Sequence, residues 1–100
     1  MKRTLIRYKT KPDATGQNRS LIEAVFAELK QTSPDGVRYM ALMLDDGSFV
    51  HIVETEGEAS VLQQLGSFQA FQTGIRERCA EPPQAKQATI VGDYRMLETR

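Results

Sequence analysis

The chain has no tryptophan, one histidine and one cysteine in 100 residues, and its charges cancel. Each shortage excludes something. A lone Cys79 cannot build an internal disulfide framework, which suits a reducing cytoplasm. One His and one Cys, far apart, give no zinc-ligand spacing, so no metal site is expected. Thirteen Lys and Arg against thirteen Asp and Glu leave no basic surplus for a nucleic-acid partner. No apolar run approaches the ~20 residues that cross a bilayer, so no membrane association is expected. The start, Met1-Lys2-Arg3-Thr4-Leu5-Ile6, has the charge of a secretion signal without its apolar core or small-residue cleavage site. Gly57, Gly66 and Gly74 stand isolated, so no phosphate-cradling loop and no cofactor are expected.

What is present is an ordinary globular composition, 40% apolar and 26% charged, read as one domain over residues 1–100. Residues 3–10 alternate and are rich in β-branched and aromatic types, so they predict a strand, ended by Pro12. The period then changes. Leu21, Ile22, Val25, Phe26 and Leu29 form a 3.6-residue stripe that predicts an amphipathic helix from about 16 to 32, capped by Thr15 or Asn18. Ser33-Pro34-Asp35-Gly36 breaks it.

Residues 37–44 and 48–55 flank Asp45-Asp46-Gly47 and predict a hairpin. A two-residue turn would pair Leu42 with His51. A three-residue loop with Gly47 left-handed pairs Ala41 with His51 and opposes Arg38 to Glu54, and this register is preferred. Beyond it, residues 59–65 read as a short helical stretch, with Gly66 as its C-cap and Ser67 capping a second helix to about Cys79. Phe68, Phe71, Ile75 and Cys79 form that helix's buried stripe. Glu81-Pro82-Pro83 stops it, residues 80–87 read as a polar loop, and residues 88–96 as the last strand. An ion pair between Arg7 and Asp93 would tie the first and last strands, and residues 97–100 read as a frayed tail.

The order is therefore βαββαβ: a ferredoxin-like α+β unit with a four-stranded antiparallel sheet and its helices on one face. Both hairpin faces are apolar. One carries Tyr39, Ala41, Met43, Phe49, His51 and Val53, the other Met40, Leu42, Val50 and Ile52. Two helices cover one face only, so the other exposes an apolar patch larger than monomers usually tolerate. A homodimer through the open sheet face is the expected remedy.

That segment order, the helix Glu23-Ala24-Val25-Phe26-Ala27-Glu28-Leu29, the Asp-Asp-Gly hairpin followed by Phe49-Val50-His51, and Ser67-Phe68-Gln69-Ala70-Phe71 resemble the dimeric α+β barrel superfamily. Within it the nearer likeness is to the antibiotic-biosynthesis monooxygenase-like domains, over about residues 3–96. The resemblance implies a protomer whose sheet packs on that of a second copy, and a ligand cleft between sheet and helices. Its members include cofactor-independent quinone-forming monooxygenases, haem-degrading enzymes and isomerases. The haem-degrading branch uses an Asn, a Trp and a His together. This chain has no tryptophan and carries its histidine on a strand, which argues against that activity.

Among the residues themselves, His51 alone titrates near neutrality unperturbed, so it is a candidate general base beside Tyr39, or else a packed histidine. Phe68, Phe71 and Arg7 are the candidate substrate-binding residues, Arg7 for an anionic group. Cys79 continues an apolar stripe and reads as a buried thiol. Three functional readings follow. The first is a homodimer binding an apolar or aromatic molecule, acting as a cofactor-independent monooxygenase on a quinol-like metabolite. The second is a non-catalytic dimerisation module. The third is an isomerase or cyclase in which His51 or a tyrosine moves a proton. The first expects a pocket lined by Tyr39, His51, Phe68 and Phe71, whereas a filled core there favours the second.

Overall fold

The computed structural model describes residues 2–56 and 61–97. Its elements are β1 (Lys2–Thr10), α1 (Thr15–Thr32), β2 (Val37–Met43), β3 (Ser48–Thr55), α2 (Gly66–Gln72), α3 (Ile75–Arg78) and β4 (Cys79–Gln87). The four strands form one antiparallel sheet in the order β2-β3-β1-β4. This is the ferredoxin-like arrangement, with the helices on one face.

α1 follows a 3-10 turn, Pro12–Ala14, in which the proline's missing N–H costs no hydrogen bond. Neither Thr15 nor Asn18 caps the helix; Ala14 stands at that position. Thr15 instead donates its hydroxyl to the Lys11 carbonyl at 3.2 Å, and Asn18 turns into the core with Ile22 and Val25. The helix ends at Ser33, left-handed at φ 44°, whose N–H bonds the Leu29 carbonyl.

The hairpin takes the preferred register. Ala41 opposes His51 and Arg38 opposes Glu54. Leu44 N–H bonds the Ser48 carbonyl at 2.8 Å, and Gly47, at φ 87°, closes the three-residue loop. Glu54 lies between two arginines, because β3 is flanked by β2 and β1. It pairs with Arg3 of β1 at 2.5 Å.

The last third departs from expectation. The second helix does not run to Cys79. It stops at Gln72, Gly74 turns left-handed at φ 78°, and a single turn, α3, leads straight into β4. Gly66 opens α2 rather than ending a helix, with extended Leu65 before it. Ser67 is not a cap; its N–H and hydroxyl both donate to the Glu28 carboxylate of α1. Of the expected 59–65 helix, Val61–Gln64 forms a 3-10 turn and residues 59–60 lie outside the described ones.

The expected loop 80–87 is β4 itself. Prolines are tolerated there because β4 is an edge strand and its register slips around them. Arg7 pairs with Gln84 and Lys9 with Glu81, so Pro82 and Pro83 share a bulge opposite Tyr8. Residues 88–97 then lie beyond the sheet, joined to it by the Ala88 N–H on the Arg3 carbonyl. Arg7 does not pair with Asp93, whose carboxylate accepts the Met96 N–H beyond the end of β4.

The helix-side core gathers Tyr8, Phe49, Phe68, Phe71, Ile22 and Val25. By strand alternation the opposite face carries Leu5, Arg7, Met40, Leu42, Val50 and Ile52. Leu42 is 46% exposed, and the 88–97 segment adds exposed Ile90, Val91, Tyr94, Met96 and Leu97. A cleft of about 520 Å³ lies between this segment and the open face, floored by Leu5, Met40 and Ile52. Among the described residues no helix is long and apolar enough to cross a membrane.

Candidate functional site

The site begins with strand registry. Ile6 and Ala41 stand directly opposite His51 on its two neighbouring strands, while Tyr8 opposes Phe49 and Tyr39 opposes Val53. Both tyrosines are therefore diagonal to His51, a separation that long side chains bridge. Tyr8 Oη lies 2.8 Å from His51 Nε2, and Tyr39 Oη is hydrogen-bonded to His51 Nδ1. The small Ala41 leaves room for the imidazole between them.

The row continues inward. Asn18 Nδ2 donates to Tyr8 Oη at 2.9 Å, and Arg78 Nε donates to Asn18 Oδ1 at 3.0 Å. Arg78 also donates to the Phe71 and Thr73 carbonyls, and its guanidinium stands 5.5 Å from the Phe71 ring centroid. These carbonyls are released by the break between α2 and α3, so the arginine satisfies acceptors that a continuous helix would have used. It makes no ion pair among the described residues, yet it is only 7% exposed.

Rings pack round the row. Tyr8 stacks on Phe49 at 5.4 Å, His51 on Phe71 at 5.4 Å, and Phe26 on Tyr39 at 4.9 Å, with Phe68 edge-on to Tyr39. Burial dominates the electrostatics. It pushes the Tyr8 and Tyr39 phenols up, with Asn18 partly opposing it at Tyr8, and pulls His51 down to about 4. His51 is 3% exposed and neutral at physiological pH. The Cys79 thiol is buried and pushed up as well.

His51, Tyr39, Phe68 and Phe71 thus come together, but as a packed cluster rather than the lining of one pocket. Tyr39 lines both the 520 Å³ cleft and a smaller pocket, and His51, Phe68 and Phe71 line none of the four cavities described. The smaller pocket, of about 210 Å³, Tyr39 borders with Phe26, Leu29, Pro34 and Val37, between α1 and β2. A second pocket of about 310 Å³ lies on the other side of Phe26, against Ile22, Ala41 and Phe49. Arg7 stands apart, exposed on the opposite face of the sheet. Among the described residues no group of three or more His, Cys, Asp or Glu side chains could hold a metal.

Sequence reasoning passed over Asn18 as a core residue and did not single out Arg78. For Asn18 the signal was there: it precedes Leu21, Ile22 and Val25 by 3, 4 and 7 residues. A polar residue in phase with an apolar stripe is bound for the core and needs a partner there.

No protein-family model matches the chain, and no curated protein matches it by sequence. Solved structures do. Rv0793 from Mycobacterium tuberculosis superposes with a TM-score of 0.72 at 17% identity, covering 92% of this chain and 96% of that one. A protein from Nitrosomonas europaea, provisionally named an antibiotic biosynthesis monooxygenase, gives 0.71 at 15% identity, covering 90% and 89%. A further structure named antibiotic biosynthesis monooxygenase gives 0.68 at 18% identity, covering 92% and 100%. The fold is the one these proteins share.

Proposed function

We propose that this chain works as a homodimer that binds an aromatic or quinol-like small molecule, acting on it as a cofactor-independent monooxygenase. The observation that carries the reading is the hydrogen-bonded row Tyr8–His51–Tyr39, whose outer member borders an apolar groove. Phe26 lines both pockets of that groove, about 210 and 310 Å³, the larger of them of a size that small-molecule sites occupy. In this reading Tyr39 meets the ligand's oxygen and Phe26 its ring. His51 holds Tyr39 in place, while Phe68 and Phe71 wall the row from behind. The fold shared with proteins named monooxygenases supports the reaction class by analogy only.

The partner is a second copy, seated on the open face. That face presents Leu5, Met40, Leu42 and Ile52, extended by exposed Ile90 and Val91. Covering it removes an apolar surface that water disfavours. Arg7 falls on this face, where it serves the contact between copies more naturally than a substrate in the groove. The one cysteine, buried and unpaired, suits a cytoplasmic protein.

A second reading, a dimerisation module without a ligand, draws on the packing of His51, Phe68 and Phe71 into a closed cluster. Thermal unfolding with a panel of hydroquinones, naphthols and indanones separates the two. A true ligand at 100 times its Kd raises Tm by about 10 °C or more in a domain this size. No shift from any member of the panel supports the module instead. The isomerase reading is weakened because a histidine held neutral down to about pH 4 is a poor base.

A further inference from the structure

The row of polar groups has a direction. Arg78 has donors only and cannot lose its proton, so Asn18 must turn its Oδ1 toward it. That leaves the Asn18 amide N–H for Tyr8 Oη, as the 2.9 Å contact has it. Tyr8 therefore accepts on its inner side, and its own hydroxyl hydrogen needs an acceptor. Tyr8 is 2% exposed, and His51 Nε2 is the acceptor within reach, at 2.8 Å. The opposite assignment would bury that hydrogen unpartnered, at the cost of a lost hydrogen bond. With Nε2 accepting, a neutral imidazole carries its proton on Nδ1 and donates it to Tyr39 Oη. The hydroxyl hydrogen of Tyr39 is then the free end of the row.

We infer that the Arg78–Asn18 pair sets the polarity of the whole row, so that Tyr39 meets a ligand as a hydrogen-bond donor and the site takes acceptor oxygens, carbonyl or phenolate. This rests on the ligand site proposed at Tyr39. Arg78 and Asn18 are positioning residues, sixty positions apart in the chain, that touch no ligand. The consequence is a substrate class. A row that already has a proton on Nδ1 cannot take one from a neutral hydroxyl through Tyr39, so of the quinol-like ligands it favours the carbonyl and phenolate forms over the neutral quinol.

The chain has a single histidine, so a long-range proton–nitrogen correlation spectrum of the 15N-labelled protein at pH 7 reads the tautomer without assignment. Nδ1 is expected as the protonated, pyrrole-type nitrogen and Nε2 as the bare one. A protonated Nε2 in the native protein overturns the inference outright. Asn18→Asp replaces the donor by a second acceptor while giving Arg78 a carboxylate partner, and it is expected to exchange the two nitrogen types. A folded Asn18→Asp protein that keeps the native tautomer overturns the role of the pair.

The substrate class is read by equilibrium binding of 1-indanone against indane, which differ in the carbonyl. The ketone is expected to bind about tenfold more tightly, a preference that Tyr39→Phe removes. Equal affinity for the two overturns the selectivity. If neither binds while the native tautomer is as expected, the direction of the row stands and the ligand site at Tyr39 falls, taking the selectivity with it.

Discussion

Tyr8 and His51 sit on adjacent strands, diagonal to one another, and share a hydrogen bond of 2.8 Å with both side chains almost wholly buried. The bond is an inner link. Replacing Tyr8 removes the acceptor of Asn18 and the donor to His51 at once, while the ring's stacking on Phe49 survives. Tyr8→Phe is therefore expected to cost about 1–3 kcal/mol, because two buried groups lose a partner. Tyr39→Phe, at the less buried end of the row, is expected to cost less. Urea unfolding of the two variants checks the order.

Burial holds the folded His51 at about 4, against 6.5 for the free side chain. Between those values the unfolded chain binds more protons than the folded one, so stability rises with pH from about 4 to 6.5 and levels off above. The size of the effect is on the order of a few kcal/mol at most. His51→Gln keeps a donor and an acceptor but cannot titrate, and its unfolding midpoint should be nearly flat across this window. The Glu28 and Asp46 carboxylates, lowered from 4.5 and 3.8 by bonds from Ser67 and Ser48, lose their contribution as pH falls from those free values. Urea midpoints at pH 5 and pH 7 for native and variant protein measure the difference.

Gly74 ends the second helix early and aims Arg78 at Asn18. Its φ of 78° is strained for any side chain, so Gly74→Ala is expected to destabilise by about 1–2 kcal/mol. Gly66 opens α2 with nothing within 4 Å of an added Cβ, and Gly66→Ala is expected to be neutral or slightly stabilising. The pair of variants, unfolded side by side, separates backbone strain from helix propensity.

Much of this was legible in the chain. The period change at residue 16, the 37–55 hairpin and its register follow from side-chain spacing and from Gly47, since both strands have to present the same residues to one core. The end of the sheet was not. Pro82 and Pro83 argue against a strand by local rules, and only the edge position of β4 and its bulge make room for them. Ile90 and Val91 read as strand residues by propensity but lie outside the sheet, exposed. In the site, His51 and Tyr39 could be placed together because registry puts them there. Arg78 could not, because its contact with Asn18 depends on the left-handed turn at Gly74 and on how α2 and α3 sit on α1.

The dimer turns on what covers the outer side of the sheet. Sedimentation equilibrium at low micromolar concentration weighs it directly. The expected result is a particle of twice the 11.2 kDa protomer mass, reduced to the protomer by a charge placed on the open face with Ile52→Asp. A native protein that sediments at 11.2 kDa at every concentration tested would contradict it.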